Sequence, residues 1–230
     1  MHDKYFEIHE ARYTKILREI REIGVPGNVL DVGCYPYHLG EAMERMGLDV
    51  YGISSSHEPI QSKNIKICNI ETDRFPFKTH FFDLVLCSEV LEHLPQSPAH
   101  AIREMYRVAK PGGHLLVTTP NIARSINRVK LLLGKSVAYP LSHVLEDNGN
   151  GSNIYHRHNR EYTLAELKTL VSHAGWTVQE ASYFVSYTPM RRRVRLDPLF
   201  MKLAKWGNYL LMRAIPQLSD TLLVLASKEA

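Results

Sequence analysis

The segment Val29-Leu30-Asp31-Val32-Gly33-Cys34-Tyr35-Pro36-Tyr37 decides the fold. Its apolar run stops at a glycine and passes into a helical pattern over Tyr37 to Met46, so it reads as a buried strand feeding a helix. The same unit recurs outward along the chain. Leu48 to Ile53 reads as a second strand, Ile65 to Cys68 as a third and Phe82 to Cys87 as a fourth. Ser97, with Pro98 in the first turn, opens a helix whose core face is Ile102, Met105, Tyr106 and Ala109. Lys110-Pro-Gly-Gly113 then turns the chain into a fifth strand, His114 to Thr118. Strands alternating with helices predict βαβ units and a parallel sheet.

The flanks are organised differently. Tyr13, Ile16, Leu17, Ile20 and Ile23 recur at helical spacing before Gly24, which predicts an N-terminal helix over 1–24. After Pro120 the alternation stops. Ile122, Ile126, Val129 and Leu133 predict a helix ending at Gly134, and Lys135 to Arg160 has no clear period. With a loop tip at Asp147 to Gly151, residues 121–162 read as a lid-like insertion. Thr163-Leu-Ala-Glu166 is a capping box for a helix that runs to His173. Trp176 to Val185 and Thr221 to Ala226 read as two last strands. Between them lies a basic amphipathic segment, 190–214.

At 230 residues and 44% hydrophobic composition, the chain suits a single α/β domain with a full core. A formal charge of +4 is too small to imply a nucleic-acid partner, and none is expected. Cys34, Cys68 and Cys87 form no CxxC pair, and an odd count argues against a disulfide framework or a zinc site. The N-terminus lacks an apolar signal region, and no run of about 18 apolar residues exists. The expected location is cytoplasmic, with peripheral membrane contact left open.

Six segments stand in order: Val29-Leu-Asp-Val-Gly33, Val50-Tyr-Gly-Ile-Ser54, Asn69 to Phe77, Phe82 to His93, Arg107 to Gly113 and Thr118-Thr-Pro-Asn121. Together they resemble the class I S-adenosylmethionine (SAM) dependent methyltransferases over nearly the whole chain, with small-molecule and bacterial glycan methyltransferases nearest. The resemblance implies a Rossmann-like, seven-stranded sheet, mostly parallel with an antiparallel last strand and helices on both faces. It implies SAM as cofactor, bound beyond the carboxyl ends of the strands where their order reverses. Asp31 and Gly33 would then present the first turn's backbone N–H groups to the methionine carboxylate, with Tyr35 beside them. Ser54, with Ser55 adjacent, would hold the ribose. Asn69 and Ile70 would hold the adenine, and Ser88 and Glu89 would lie near the methionine and the methyl group.

The chain departs from the family pattern at this turn. Tyr35 and Tyr37 replace the second and third glycines of a GxGxG sequence. A left-handed conformation would cost tyrosine roughly 1–2 kcal/mol, and Pro36 pushes Tyr35 toward extended geometry. Ser54 and Asn69 stand where the family usually carries acids, at an expected loss of about 1–2 kcal/mol of binding each.

Oxygen methylation needs a general base. His93, Glu89 and His158 are the candidates, each weighed against a structural role. His156 and His158 suggest a metal pair, but no carboxylate stands at convincing spacing, so no metal is expected. Residues 191–213 hold seven Lys or Arg and one Asp, and Leu199, Leu203, Trp206, Leu210 and Ala214 share one helix face. That face is expected to pack on the core with the basic side in solvent; the alternative is contact with anionic lipid or an anionic acceptor. The expected function is SAM-dependent O-methylation of a glycan or other small acceptor, with anionic and lipid-linked acceptors included. A non-catalytic methyltransferase-like scaffold is the rival. A nicotinamide oxidoreductase is more distant, because the turn lacks GxGxxG.

Overall fold

The computed structural model describes residues 4–25, 27–55, 64–141, 155, 157–187 and 198–230. The strands are β1 (Asn28–Val32), β2 (Asp49–Ser54), β3 (Ile65–Ile67), β4 (Phe82–Ser88), β5 (Ala109–Pro120), β6 (Thr177–Phe184) and β7 (Thr221–Ser227). The helices are α1 (Lys4–Ile23), α2 (His38–Arg45), α3 (Ala99–Val108), α4 (Ser125–Leu132), α5 (Leu164–His173) and α6 (Leu199–Ala214). One seven-stranded sheet has the order β3-β2-β1-β4-β5-β7-β6. Pairs among β1 to β5 are parallel, whereas β7 runs antiparallel to both β5 and β6. The seven-stranded architecture implied by the family resemblance is therefore present.

Central strands are apolar at nearly every position because both sheet faces are covered. Leu30, Val32, Val85 and Val117 pack with Ile102 and Met105 of α3 and Leu167 and Val171 of α5. Val29, Leu84 and Leu86 point the other way, onto Tyr13, Ile16 and Ile20 of α1 and Leu39 and Met43 of α2. The capping box at Thr163 and Glu166 forms as expected. Strand β5 is longer than the predicted His114 to Thr118. The Lys110 to Gly113 turn is absorbed as an irregularity, with Phe82 opposite Ala109 and Leu84 opposite His114.

The apolar stripe of α6 contradicts its expected core packing. Leu199, Leu203, Trp206 and Leu210 are exposed, and only Met212 of this helix is buried. The physical reason is supply of surface. The two faces of the sheet are already covered by α1 and α2 on one side and α3 and α5 on the other. α6 instead docks through Asn208, whose Oδ1 accepts from Ser125 Oγ at 2.6 Å and whose Nδ2 donates to Tyr187. Helix α4 behaves likewise: Ser125 and Asn127 face inward, while Ile126, Val129 and Leu133 of the predicted stripe are exposed. The loop tip at Asp147 to Gly151 and the arginines at 191–195 lie outside the described residues.

The rebuilt first turn rests on a local fit. Tyr37 precedes α2, and its ring lies over Gly40, where a Cβ would sit 2.1 Å from Tyr37 Cε2. Gly40→Ala is therefore expected to destabilise the fold by about 1–3 kcal/mol through overpacking, a melting temperature lower by several degrees. In a Tyr37→Ala background the same change should be neutral or stabilising, since alanine is the better helix former. Thermal melts of the four proteins check the sign reversal.

Candidate active site

The carboxyl ends of β1, β2 and β4 converge at the point where strand order reverses. Gly33 has φ +78°, and a Cβ there would meet Val90 Cγ2 at 2.4 Å, so both conformation and space demand glycine. The N–H groups of Gly33 and Cys34 both donate to Ile53 O, at 2.9 and 3.1 Å. These two donors bind the turn after β1 to β2. Neither Tyr35 nor Tyr37 takes a positive φ; the chain passes them through a cis Tyr35–Pro36 peptide. The left-handed cost expected for tyrosine is thus avoided, and Tyr35 stands exposed at the rim.

Ser54 is buried at the end of β2, and Ser55 beyond it is exposed. Asn69 Oδ1 accepts from Glu71 N at 3.0 Å, and its own N–H donates to Asp73, so this asparagine shapes the loop after β3. Ile70 is half-buried against the core. Asp31 is buried in β1, and burial raises its carboxyl to about 7. A buried acid poised near neutrality suits a cationic ligand, and Ser54 supplies a hydroxyl for a sugar. The donor set fits the ammonium and ribose of SAM.

The other half of the site is built on the residues after β4. Ser88 Oγ lies 3.0 Å from Thr118 Oγ1. Glu89 takes φ +57°, rare for a residue with a side chain and a form of strain that clusters at functional sites. Its Oε2 is 3.1 Å from Arg12 Nη1, and its Oε1 accepts from Thr118 Oγ1 at 3.2 Å. With both oxygens engaged, Glu89 is a poor candidate for a general base. Burial raises its pKa, against the opposing pull of Arg12 and Thr118. Glu92 follows in a short 3-10 turn and is fully buried. Burial and then the charge on Glu89 push its pKa well up.

Two histidines face each other across this turn. The rings of His93 and His158 lie 4.9 Å apart, edge to face. His93 Nδ1 is 3.1 Å from the carbonyl of Arg157. His158 Nδ1 is 2.9 Å from Glu161 Oε1, and Glu161 is gripped by both Nη atoms of Arg124 at 2.6 and 3.1 Å. Burial alone would raise Glu161, but His158 and Arg124 outweigh it and hold the carboxyl at about 2. A carbonyl and an ionised carboxylate can only accept, so each Nδ1 carries a hydrogen, which leaves Nε2 as the atom that exchanges a proton with a ligand. Glu92, His93 and His158 each place a ligand atom within 4.8 Å of the others, a trio that could hold a metal ion. Sequence spacing offered no carboxylate for such a group, because Glu92 reaches His158 only through the fold.

The insertion is anchored at both ends beside this pair. Asn121 bridges Tyr162 in parallel fashion, and Arg124 meets Glu161. Sequence reasoning missed Arg12, Glu92, Arg124 and Glu161. Arg12 carried one available signal: it is a charge one residue before Tyr13 on an otherwise apolar stripe.

Comparison with known proteins agrees with this geometry. A family model described as a methyltransferase domain matches residues 5–181. The ubiquinone biosynthesis O-methyltransferase of Acinetobacter baumannii is 29% identical over 215 residues, covering 86% of this chain and 84% of that protein. The enzyme of the same name from Yersinia pestis is 37% identical over 103 residues, covering 40% of this chain and 42% of that one. A SAM-dependent methyltransferase from Archaeoglobus fulgidus superposes with a TM-score of 0.62 at 16% identity, over 98% of this chain and all of that one. The Haemonchus contortus phosphoethanolamine N-methyltransferase 2, solved with SAM, gives a TM-score of 0.61 at 16% identity, over 95% of this chain and 52% of that one. With the sheet order, the convergent strand ends and the matched family model in agreement, the chain belongs to the methyltransferase-domain family and is a class I SAM-dependent methyltransferase.

Proposed function

We propose that the protein transfers a methyl group to a hydroxyl oxygen of a small-molecule acceptor, with His158 as general base. The observation that carries this reading is the His158–Glu161–Arg124 chain standing against His93. The name shared by the Acinetobacter and Yersinia relatives supports oxygen as the methylated atom. Those relatives give the expected glycan acceptor no support, and a small hydroxyl compound stands in its place.

SAM, when bound, supplies an electrophilic methyl group. Asp31 and Ser54 are the residues to hold it, toward its ammonium and ribose, with Tyr35, Ser55, Asn69 and Ile70 around the rim of the same edge. Ser88 and Glu89 complete the floor, with Glu89 fixed by Arg12 and Thr118. His158 takes the acceptor's proton on Nε2. The resulting imidazolium is stabilised by Glu161 at its Nδ1, the position at which His93 meets the carbonyl of Arg157. His158, backed by the Glu161 carboxylate, takes the role of base in this reading, and His93 positions it and the acceptor. Holding donor and acceptor in line supplies the rest of the rate.

Two outcomes follow. Calorimetric titration should show saturable SAM binding, displaced by S-adenosylhomocysteine. Because the ligand's ammonium favours ionised Asp31, affinity should rise as pH passes upward toward the raised pKa of about 7. Between pH 6 and 7 the ionised fraction grows about five-fold, and Asp31→Asn should remove that dependence. Absence of saturable heat would remove this site. In turnover assays on a phenolic or other hydroxyl acceptor, His158→Ala should lower kcat by about 10²–10⁴-fold with SAM affinity intact. His93→Ala should act more on the acceptor KM. If His158→Ala turns over within a few-fold of the parent, another group is the base.

A further inference from the structure

We propose that the outward faces of α4 and α6 dock this enzyme on an anionic lipid surface. The reading goes beyond methyl transfer and does not depend on which residue is the base. In α6, Leu199, Leu203, Trp206 and Leu210 stand at i, i+4, i+7 and i+11 and form one stripe. Their exposures are 72, 64, 39 and 60%. Asn208 and Met212, which hold the helix to the body, lie on the opposite side. An apolar stripe normally turns toward a core; this one is turned away from it. Helix α4, joined to α6 by the Ser125–Asn208 hydrogen bond, adds Val129 at 49% and Leu132 at 86% exposure. Scattered exposed leucines are ordinary, but two neighbouring helices with apolar outer faces form a patch of the kind that marks an interaction surface.

Charge identifies the partner. Residues 122–141 and 198–219 contain seven Lys or Arg and no Asp or Glu. On α6, Lys202 and Arg213 fall beside the apolar stripe, and Arg128 and Lys130 are exposed on α4. Apolar side chains ringed by cations, with Trp206 among them, match a bilayer interface bearing anionic head groups. Among the described residues no helix is long and apolar enough to cross a membrane, so α6 would lie in the interface plane.

Location gives the contact a use. Strand β7 begins at Thr221, which pairs with Pro120 at the end of β5 and with Phe184 at the end of β6. Helix α6 therefore enters the sheet at the edge where β5 ends, and α4 leaves from that edge. The docking face stands beside the carboxyl-edge site, so an acceptor partitioned into lipid could reach it without crossing bulk water.

The test is sedimentation of the full chain with phosphatidylcholine vesicles and with vesicles containing one-fifth phosphatidylglycerol, at low and high salt. Binding is expected on the anionic vesicles, weakened by salt, with a blue shift of tryptophan emission as Trp206 leaves water. A Leu203→Ser, Leu210→Ser, Trp206→Ala variant should lose at least ten-fold in partitioning while still melting cooperatively, since Leu203 and Leu210 are largely exposed and Trp206 partly so. Replacing Lys130 and Arg213 by Gln should weaken binding selectively on anionic vesicles. No binding, equal binding to both vesicle types, or undiminished binding by the triple variant overturns the proposal. So does a concentration-dependent dimer that the triple variant abolishes, which would make the face a contact between copies.

Discussion

Two carboxyl groups less than one helical turn apart stand at the end of β4, Glu92 fully buried and Glu89 partly so, and the rest of the site answers that constraint. Buried like charges at such spacing cannot both ionise without help. The help comes from opposite directions. Arg12 arrives from α1 and neutralises Glu89, while Thr118 donates to it from β5. Burial pushes the Glu92 carboxyl well up, and it accepts from Thr119. An N-terminal helix that covers one sheet face with Tyr13, Ile16 and Ile20 thereby also reaches the end of β4 through Arg12.

The same economy governs the cofactor edge. In the family pattern, glycines let the backbone turn sharply toward a ligand. Here one glycine, Gly33, makes the turn, and the N–H groups at 33 and 34 hold it to Ile53. The tyrosines that follow occupy ordinary φ values, and the space for Tyr37 is provided by Gly40, one turn into the helix. The glycine requirement has moved along the chain instead of vanishing.

Much of this was legible beforehand where the cause is local. Strands β1, β2, β4 and β7 are short apolar runs with two covered faces, and the pattern marks them within a residue or so of their observed limits. The helix over Leu164–His173 begins at its capping box, because two side-chain hydrogen bonds between neighbours suffice to start it. The boundary of β5 was less legible, because the extra pairing at Ala109 depends on β4 and on an irregularity between the strands. At the site, His93 and His158 were nameable as histidines near the cofactor edge. Their partners were not, since Glu161, Arg124 and Arg157 become relevant only when 124, 157 and 161 are brought together.

By itself, the sequence determined the alternation of strands and helices, the amphipathic stripes, the turn at Gly33 and the order of the six segments. Each depends on periodicity or on a backbone preference within a few residues. Tertiary structure alone decided which way a stripe faces, which carboxyl meets an arginine and which histidine meets Glu161. Those outcomes depend on what already covers the sheet, on burial and on charges supplied from distant positions. The stripe of α6 shows the distinction: its 3.6-residue period made it a helix, and the occupied faces of the sheet turned it outward.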